Sequence, residues 1–407
     1  MTLFIRRARG GSRTMASLAH ILVGTAFEEP TPRAVLRLSL DLQTGALATS
    51  APPLTLPAGP PGWLEPSRVA DGLVYVAFED DPGTAQGFAL TAERALEPVG
   101  ARVSTVGRAP CYLALDATGR WLFAANYVEG SVAVLPVARG GGLGAATDSK
   151  KHQGGELVAA ELADRQEAAH CHCVAPHPSN RWVAVADLGL SRVFVYAFDA
   201  ARGALVGAAD DARHLALDAS AGPRHVAWAD AGATLYVCNE LDGTVTACSF
   251  DARTGALEAR RSVSALPAGD APNRAPHRGN SDIAVHPNGR FLYVGVRSTE
   301  PCGSIAVFAI RRGGDGFPDL ELVGHESTRG AVPRNFKLCG ANATWLVVGN
   351  QESRDVASFA VDAESGRLRY ASSVKTPHKP CNISVHPGSA RVALPLQGPY
   401  TKSPAAH

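Results

Sequence analysis

The sequence predicts an all-β chain folded as a seven-bladed β-propeller, with four antiparallel strands per blade and the first blade closed by the C-terminal strand. Three observations predict it. One strand-like segment recurs seven times, further alternating strands follow each copy, and the first copy lacks a partner that the end of the chain supplies.

The recurring segment is the second strand of each blade. It reads Ile21-Leu-Val-Gly-Thr-Ala-Phe, Leu73-Val-Tyr-Val-Ala-Phe, Trp121-Leu-Phe-Ala-Ala-Asn-Tyr and Trp182-Val-Ala-Val-Ala-Asp-Leu. It continues as Leu235-Tyr-Val-Cys-Asn-Glu, Leu292-Tyr-Val-Gly-Val-Arg and Leu346-Val-Val-Gly-Asn-Gln, with starts 52, 48, 61, 53, 57 and 54 residues apart. Third strands follow, among them Ser131-Val-Ala-Val-Leu, Arg192-Val-Phe-Val-Tyr and Ser304-Ile-Ala-Val-Phe. Turns of the Thr44-Gly-Ala-Leu and Thr254-Gly-Ala-Leu kind then lead to fourth strands. Period-two alternation and β-branched residues between Gly, Asn and Asp turns argue for strands, and no segment sustains a helical apolar stripe. The chain enters at Ile21 without an innermost strand, and Cys381-Asn-Ile-Ser-Val-His-Pro is left to complete the first blade. A linear solenoid would leave that split repeat unexplained. Radial closure also protects the sheet edges.

The expected organisation is an N-terminal extension over residues 1–18, a propeller over 19–400 and a tail over 401–407. Residues 1–27 carry Arg6, Arg7, Arg9 and Arg13 and no acidic residue, which fits a transit peptide or an unstructured extension with Met15 as the start. The insert from Arg139 to Glu167 reads as a loop over the mouth of the channel, a lid or a tether. With 39 basic and 38 acidic side chains there is no footprint for nucleic acid or an anionic membrane. No stretch approaches the ~20 apolar residues of a spanning helix. The eight cysteines are scattered without a CxxC pair and read as small buried side chains in a reducing, cytoplasmic setting, with organellar import as the alternative. A closed propeller is expected to be monomeric.

Each first strand runs to a tight turn and the second runs back, so residues equidistant from the turn face each other on one rim. Arg224 is eight residues before Gly232 and Glu240 eight after. The same symmetry pairs His172 with Asp187 and Asn280 with Arg297, and brings Arg334 near Asn350 and Gln351. Asn126 and Tyr127 end a second strand on the same rim. Five successive blades thus send polar groups to one mouth. Polar loop ends are common because they are wet, but Arg, His and Glu lining a funnel are costly without pairing or a ligand. A cationic mouth with one carboxylate suits a small anion.

Several segments together resemble the seven-bladed propeller lactonases, a family that includes 6-phosphogluconolactonases and carboxymuconate lactonizing enzymes. They are Arg165-Gln-Glu-Ala-Ala-His-Cys-His, Ala186-Asp-Leu-Gly, Gly222-Pro-Arg-His, Tyr236-Val-Cys-Asn-Glu-Leu, Gly289-Arg-Phe-Leu-Tyr-Val, Pro333-Arg-Asn-Phe, Gly349-Asn-Gln and Pro380-Cys-Asn-Ile. The similarity runs from about Ile21 to His386. It implies a catalytic histidine at His172, an arginine–glutamate pair at Arg224 and Glu240, and a further arginine at Arg297. Val296 stands where the family often has Asn, and Val332 where it often has an aromatic.

Lactone hydrolysis needs a base to activate water and donors for the oxyanion. His172 is the natural base, Asp187 is expected to fix its tautomer, and Arg224 and Arg297 to hold a phosphate, a carboxylate or the oxyanion. Glu240 either orients Arg224 structurally or acts as a second acid/base. His170, Asn126, Tyr127, Asp187, Arg334 and Gln351 are the expected substrate contacts. His170 and His172, two apart on a strand, are a conceivable metal pair, but further ligands are not evident and the resemblance implies no metal. His225 is expected on the opposite face, in packing. No cofactor is expected, since no GxSxG, Walker or GxGxxG signature occurs. The leading expectation is hydrolysis of a small anionic sugar lactone, 6-phosphogluconolactone first. The alternatives are a carboxymuconate cycloisomerase and a non-catalytic binding scaffold. None of the five tryptophans is followed by Asp, as a WD repeat would require.

Overall fold

The computed structural model describes residues 18–25, 34–56, 59–67, 69–91, 95–154, 162, 164–207, 213–270, 278–298 and 302–386. The expected extension up to residue 17, the end of the expected propeller at 387–400 and the tail at 401–407 lie outside the described residues.

The strands follow the repeat. β1 (Leu18–Thr25), β2 (Ala34–Asp41) and β3 (Leu47–Thr55) begin blade 1. Blade 2 is β4 (Pro61–Pro66), β5 (Leu73–Phe78), β6 (Thr84–Leu90) and β7 (Leu96–Ser104). Blade 3 is β8 (Pro110–Leu115), β9 (Trp121–Asn126), β10 (Ser131–Pro136) and β11 (Asp148–Lys151). Blade 4 is β12 (Cys171–Pro176), β13 (Trp182–Asp187), β14 (Arg192–Asp199) and β15 (Ala204–Val206), with the short β16 (Leu215–Ala216) also on β14. Blade 5 is β17 (Pro223–Ala229), β18 (Thr234–Asn239), β19 (Thr244–Asp251) and β20 (Ala256–Ser264). Blade 6 is β21 (Gly279–Val285), β22 (Phe291–Arg297), β23 (Ser304–Arg312) and β24 (Pro318–Ser327). Blade 7 is β25 (Pro333–Cys339), β26 (Trp345–Asn350), β27 (Asp355–Val361) and β28 (Leu368–Lys375). The final strand β29 (Pro380–His386) pairs antiparallel with β1, giving blade 1 the order β29-β1-β2-β3 and closing the ring.

The second strands are buried on both faces because each blade is sandwiched between neighbours. β5, β13, β18, β22 and β26 are buried along their whole length. The core therefore lies between blades. Phe123, Val132 and Val134 of blade 3, for example, pack on Val174, Val183 and Phe194 of blade 4.

The Thr-Gly-Ala-Leu turns have a specific partner. Trp345 of blade 7 donates its indole N–H to the Leu42 carbonyl of blade 1 at 3.0 Å and lies across Gly45, where a Cβ would collide with the ring. Gly45 also sits at φ +76°, so the turn needs glycine twice over. Trp182 repeats the arrangement on the blade 5 turn, with its indole 2.9 Å from the Ala252 carbonyl and its ring over Gly255. These tryptophans latch one blade to the next around the ring, the seam at blade 1 included.

The segment 139–167, expected as a loop over the mouth, corrects in part. Residues 148–151 form the outer strand of blade 3, preceded by a bridge from Val137 to Leu143. Residues 155–161 and 163 lie outside the described residues.

Ile383 of the closing strand is fully buried against Ile21 and Val23 of β1. Ile383→Ala is expected to lower unfolding free energy by about 2–5 kcal/mol, measured by urea denaturation. An unchanged midpoint would mean that β29 does not carry the closure.

Candidate active site

Every innermost strand carries a β-bulge near its start. The pairing runs Pro61 to Phe78 and then Trp63 to Ala77 in blade 2, and Pro110 to Asn126 and then Tyr112 to Ala125 in blade 3. Blades 4, 5 and 7 shift in the same way at Cys171/Cys173, Pro223/His225 and Pro333/Asn335, and blade 6 between Asn280 and Ile283. In blade 1, Pro380 pairs with Thr25 and Asn382 with Gly24. A bulge leaves one residue unpaired and re-aims its side chain. The bulge residues Gly62, Cys111, His172, Arg224, Arg334 and Cys381 all line one pocket at the channel mouth. Prolines 61, 110, 223, 333 and 380 precede their bulges, at the strand start where a missing N–H is tolerated.

The residues just after each bulge form the floor. Trp63 and Tyr112 pack with ring centroids 3.9 Å apart, and both meet the edge of His225. His225 donates Nδ1–H to Asp282 Oδ1 at 2.7 Å, and Asp282 Oδ2 accepts from Asn335 Nδ2 at 2.6 Å. Asn335 Oδ1 accepts the Ile383 amide at 2.7 Å, and Asn382 Oδ1 the Leu64 amide at 3.0 Å. His225 is therefore a hydrogen-bonded floor residue rather than the packing residue expected on the far face, because the bulge inverts the alternation. Burial, with help from Arg224, pushes its pKa down to about 4. Its neutral Nε2 accepts from Arg224 Nη1 at 3.2 Å.

Above the floor, Glu240 gathers three guanidinium groups. Arg224 Nε lies 2.9 Å from Oε2, an ionic approach not aligned as a hydrogen bond. Arg297 Nη2 lies 2.9 Å from Oε1, and Arg165 Nη2 donates to Oε1 at 2.5 Å. Burial alone would raise the Glu240 pKa. Arg297, Arg165 and Arg224 together outweigh it and hold the carboxyl well below its ordinary range. Arg224 also donates to the Ser281 carbonyl. Arg297 spends further donors on the carbonyls of Arg278 at 2.7 Å and Asn280 at 3.2 Å. Arg297 is thus a clamp on the mouth, its Nη2 engaged by Glu240 and backbone carbonyls. Arg334, half-buried in the pocket, is the more accessible cation.

His172 is 6 % exposed, and burial, with Arg224 next, holds its pKa well below the ordinary value. The imidazole is neutral at physiological pH. Cys111 Sγ lies 4.0 Å from its Nδ1, and Tyr127 meets it edge-on with centroids 5.4 Å apart. Tyr127 in turn hydrogen-bonds Arg165 and stacks on His170 at 4.5 Å. His170 lies behind Tyr127, its Nδ1 3.0 Å from the Tyr127 carbonyl oxygen, outside the pocket lining.

The bulges correct several expected pairs. Asp187 faces Cys171, not His172. Its carboxylate is fully buried, 2.7 Å from His152 Nδ1, and accepts the His170 amide at 2.8 Å, so it cannot fix the tautomer of His172. Asn280 faces Val296, while Gly279 faces Arg297, and Asn280 Nδ2 ties blade 6 to the Thr244 carbonyl. Asn126 and Asn350 end their strands as buried clasps, bonded to Thr105 and Ser131 and to Thr328 and Asp355. Gln351 is fully buried and turned to Glu352 at 2.9 Å. Asn126, Asp187, Asn280, Asn350 and Gln351 are absent from the pocket lining, and Tyr127, Glu240 and Arg297 lie outside it as well, behind His172 and Arg224. Hairpin symmetry also missed Arg165 and Glu79. Arg165, which meets Glu240, was visible only as part of a motif, and Glu79, which lines the pocket, follows β5 in the place that Glu240 takes after β18.

A propeller whose mouth gathers a neutral histidine, three arginines on the Glu240 carboxylate and a fourth at Arg334 is built to process a small anion. The family model described as lactonase, 7-bladed β-propeller, matches residues 20–384, and the chain belongs to that family of hydrolases acting on lactone esters. Among its relatives, the 6-phosphogluconolactonase of Bacillus subtilis is 27 % identical over 349 residues, 86 % of this chain and 94 % of that protein. The 6-phosphogluconolactonase of Sodalis glossinidius is 30 % identical over 266 residues, 64 % of this chain and 71 % of that one. The solved periplasmic gluconolactonase of Pseudomonas aeruginosa superposes with a TM-score of 0.78 at 26 % identity, covering 91 % of this chain and 99 % of that one.

Glu240→Gln leaves three cations, two of them buried, without their shared partner and is expected to cost about 3–5 kcal/mol of stability. Because the folded-state pKa of Glu240 is depressed, its contribution is complete above its unfolded value of roughly 4.3 and is lost as pH falls through the folded value. Urea unfolding should show a constant deficit through neutral pH that shrinks in acid. An equal midpoint at pH 7 would refute the clamp.

Proposed function

We propose that this chain hydrolyses 6-phosphogluconolactone to 6-phosphogluconate. The observation that carries the reading is His172, held neutral in the same pocket as Arg334 and beside the Glu240 cluster. His172 accepts a proton from water as the water oxygen adds to the lactone carbonyl. The oxyanion forms next to guanidinium groups that are already in place, so little reorganisation is needed. Three guanidiniums against one carboxylate leave the cluster cationic, and Arg334 adds to it. That surplus favours a phosphorylated over a neutral sugar lactone. Arg224 and Arg297 act through Glu240 on the field of the site, and Arg334 takes the phosphate. The relatives named 6-phosphogluconolactonase support the same substrate. We further assign the chain to a reducing compartment and to oxidative sugar-phosphate metabolism, on its eight unpaired cysteines and this substrate. We take it to act as a monomer, since its inner strand edges face the channel.

The test is a pH-stat assay of purified protein with fresh 6-phosphogluconolactone beside gluconolactone and carboxymuconolactone. Turnover of the phosphorylated lactone is expected. Turnover of the muconate compound alone would assign a cycloisomerase, and of gluconolactone alone a site without phosphate recognition.

His172→Ala is expected to lower kcat by about 10²–10⁴-fold with little change in melting temperature. Arg334→Ala is expected to raise KM for the phosphorylated lactone and leave KM for gluconolactone nearly unchanged. Full turnover in His172→Ala would remove that residue from the chemistry.

A further inference from the structure

We propose that Glu79 is a second catalytic residue of this site, the general acid that protonates the departing ring oxygen while His172 takes the proton from water. The proposal deepens the lactonase reading and rests on it.

Its first support is placement. Glu79 directly follows β5, as Glu240 follows β18, so the two carboxyls hold equivalent positions in blades 2 and 5. Their surroundings differ. Blade 5 places Arg224 at its bulge, and Arg224 meets Glu240. Blade 2 places Gly62 there, and a Cβ on Gly62 would lie 2.6 Å from both Cγ and Cδ of Glu79. The glycine vacates a slot in the channel wall, and the Glu79 side chain folds into it. Blade 2 thereby presents a carboxyl where its neighbours present Cys111 and Cys381.

The second support is the bonding. Among the described residues the Glu79 carboxylate makes no hydrogen bond or ion pair, whereas Glu240 is held by three arginines. A carboxyl tied into a clamp is a poor proton carrier. One that is unbonded and lines the substrate pocket can meet a ligand oxygen.

Titratable or charged groups of other inner strands line the same pocket: Cys111 of β8, His172 of β12, Arg224 and His225 of β17, Arg334 of β25 and Cys381 of β29. Burial raises its pKa to about 7, with Arg334 pulling the other way. A bound anion beside it raises the value further, since like charge disfavours the ionised form. The occupied site therefore holds a protonated Glu79 in the same pocket as a neutral His172, the two states a lactone opening requires.

The step balances. Water loses a proton to His172 as its oxygen bonds to the carbonyl carbon. When the tetrahedral intermediate collapses, the bond from that carbon to the ring oxygen breaks and its electron pair stays on oxygen. That oxygen takes the Glu79 proton and becomes the product hydroxyl. The new carboxylic acid releases its proton to solvent, and the proton on the His172 imidazolium returns to Glu79 through water.

Glu79→Gln keeps the volume and removes the acid. With the full chain and 6-phosphogluconolactone, corrected for spontaneous opening, kcat should fall by about 10²–10³-fold. KM and melting temperature should stay near wild type. The wild-type kcat should decline as pH rises through the Glu79 pKa in the complex, and that limb should vanish in the variant. Proton uptake on binding 6-phosphogluconate, measured by calorimetry in two buffers at pH 7, should be reduced in Glu79→Gln. A variant with wild-type kcat, or with reduced kcat and the same alkaline limb, overturns the role of Glu79. If His172→Ala is then still inactive, the lactonase reading stands without it. A wild-type chain inert on all three lactones overturns both.

Discussion

The structure depends on one repeated backbone irregularity, the bulge near the start of each inner strand. Strictly alternating strands around a channel would place each inner residue either in the wall between blades or in the lumen. The extra residue breaks the alternation at one level of the ring. It turns His172, Arg224 and Arg334 into the mouth while the next residues, His225, Asp282 and Asn335, close beneath them. A bulge inside a lone hairpin would weaken its ladder. Here each bulged strand is held by two neighbouring blades and by the clasps that Asn126 and Asn350 provide.

Burying several guanidinium groups around one carboxylate is costly, because desolvating each ion carries a penalty of several kcal/mol. The fold offsets that cost in two ways. Glu240 is shared among three arginines, and Arg224 and Arg297 also donate to the backbone carbonyls of Ser281, Arg278 and Asn280 around the neighbouring bulge. Below them His225 stays neutral between Arg224 and Asp282, so it relays a hydrogen bond without adding charge. The positive surplus that is left is a fixed feature of the folded state. An entering anion would relieve it, so the charge pattern itself favours an anionic ligand.

The repeat, the closing strand and the meeting of Arg224 with Glu240 were all legible in the sequence, because each follows from strand periodicity or from two side chains sharing one rim. The register at the mouth was not. Hairpin symmetry assumes that every residue on one strand faces one on the other, and the bulge adds a residue to one side. That single step moved Asp187 from His172 to Cys171 and Asn280 from Arg297 to Val296. Arg224 and Glu240 survived the shift because both project into the lumen whichever residue pairs. The recurrence of proline just before five of the bulges, at Pro61, Pro110, Pro223, Pro333 and Pro380, was a signal that marked the strand starts, where proline is tolerated, but not the register. Glu79 left a fainter trace, since its meaning depends on Gly62, whose missing side chain shows only when the blades are aligned in space.

The two carboxyls of the mouth show how one fold position acquires two chemistries. Glu79 and Glu240 occupy equivalent places, so backbone geometry does not distinguish them. The neighbour at the bulge does. Arginine at position 224 brings a cation within 2.9 Å, and Glu240 becomes a permanent anion that orders the site. Glycine at position 62 brings nothing, and burial carries Glu79 toward the neutral range. Electrostatic order and proton exchange call for opposite environments, since a carboxyl that anchors three cations cannot also give up and regain a proton near neutral pH. By varying one bulge residue from blade to blade, a seven-fold scaffold supplies both environments around one mouth.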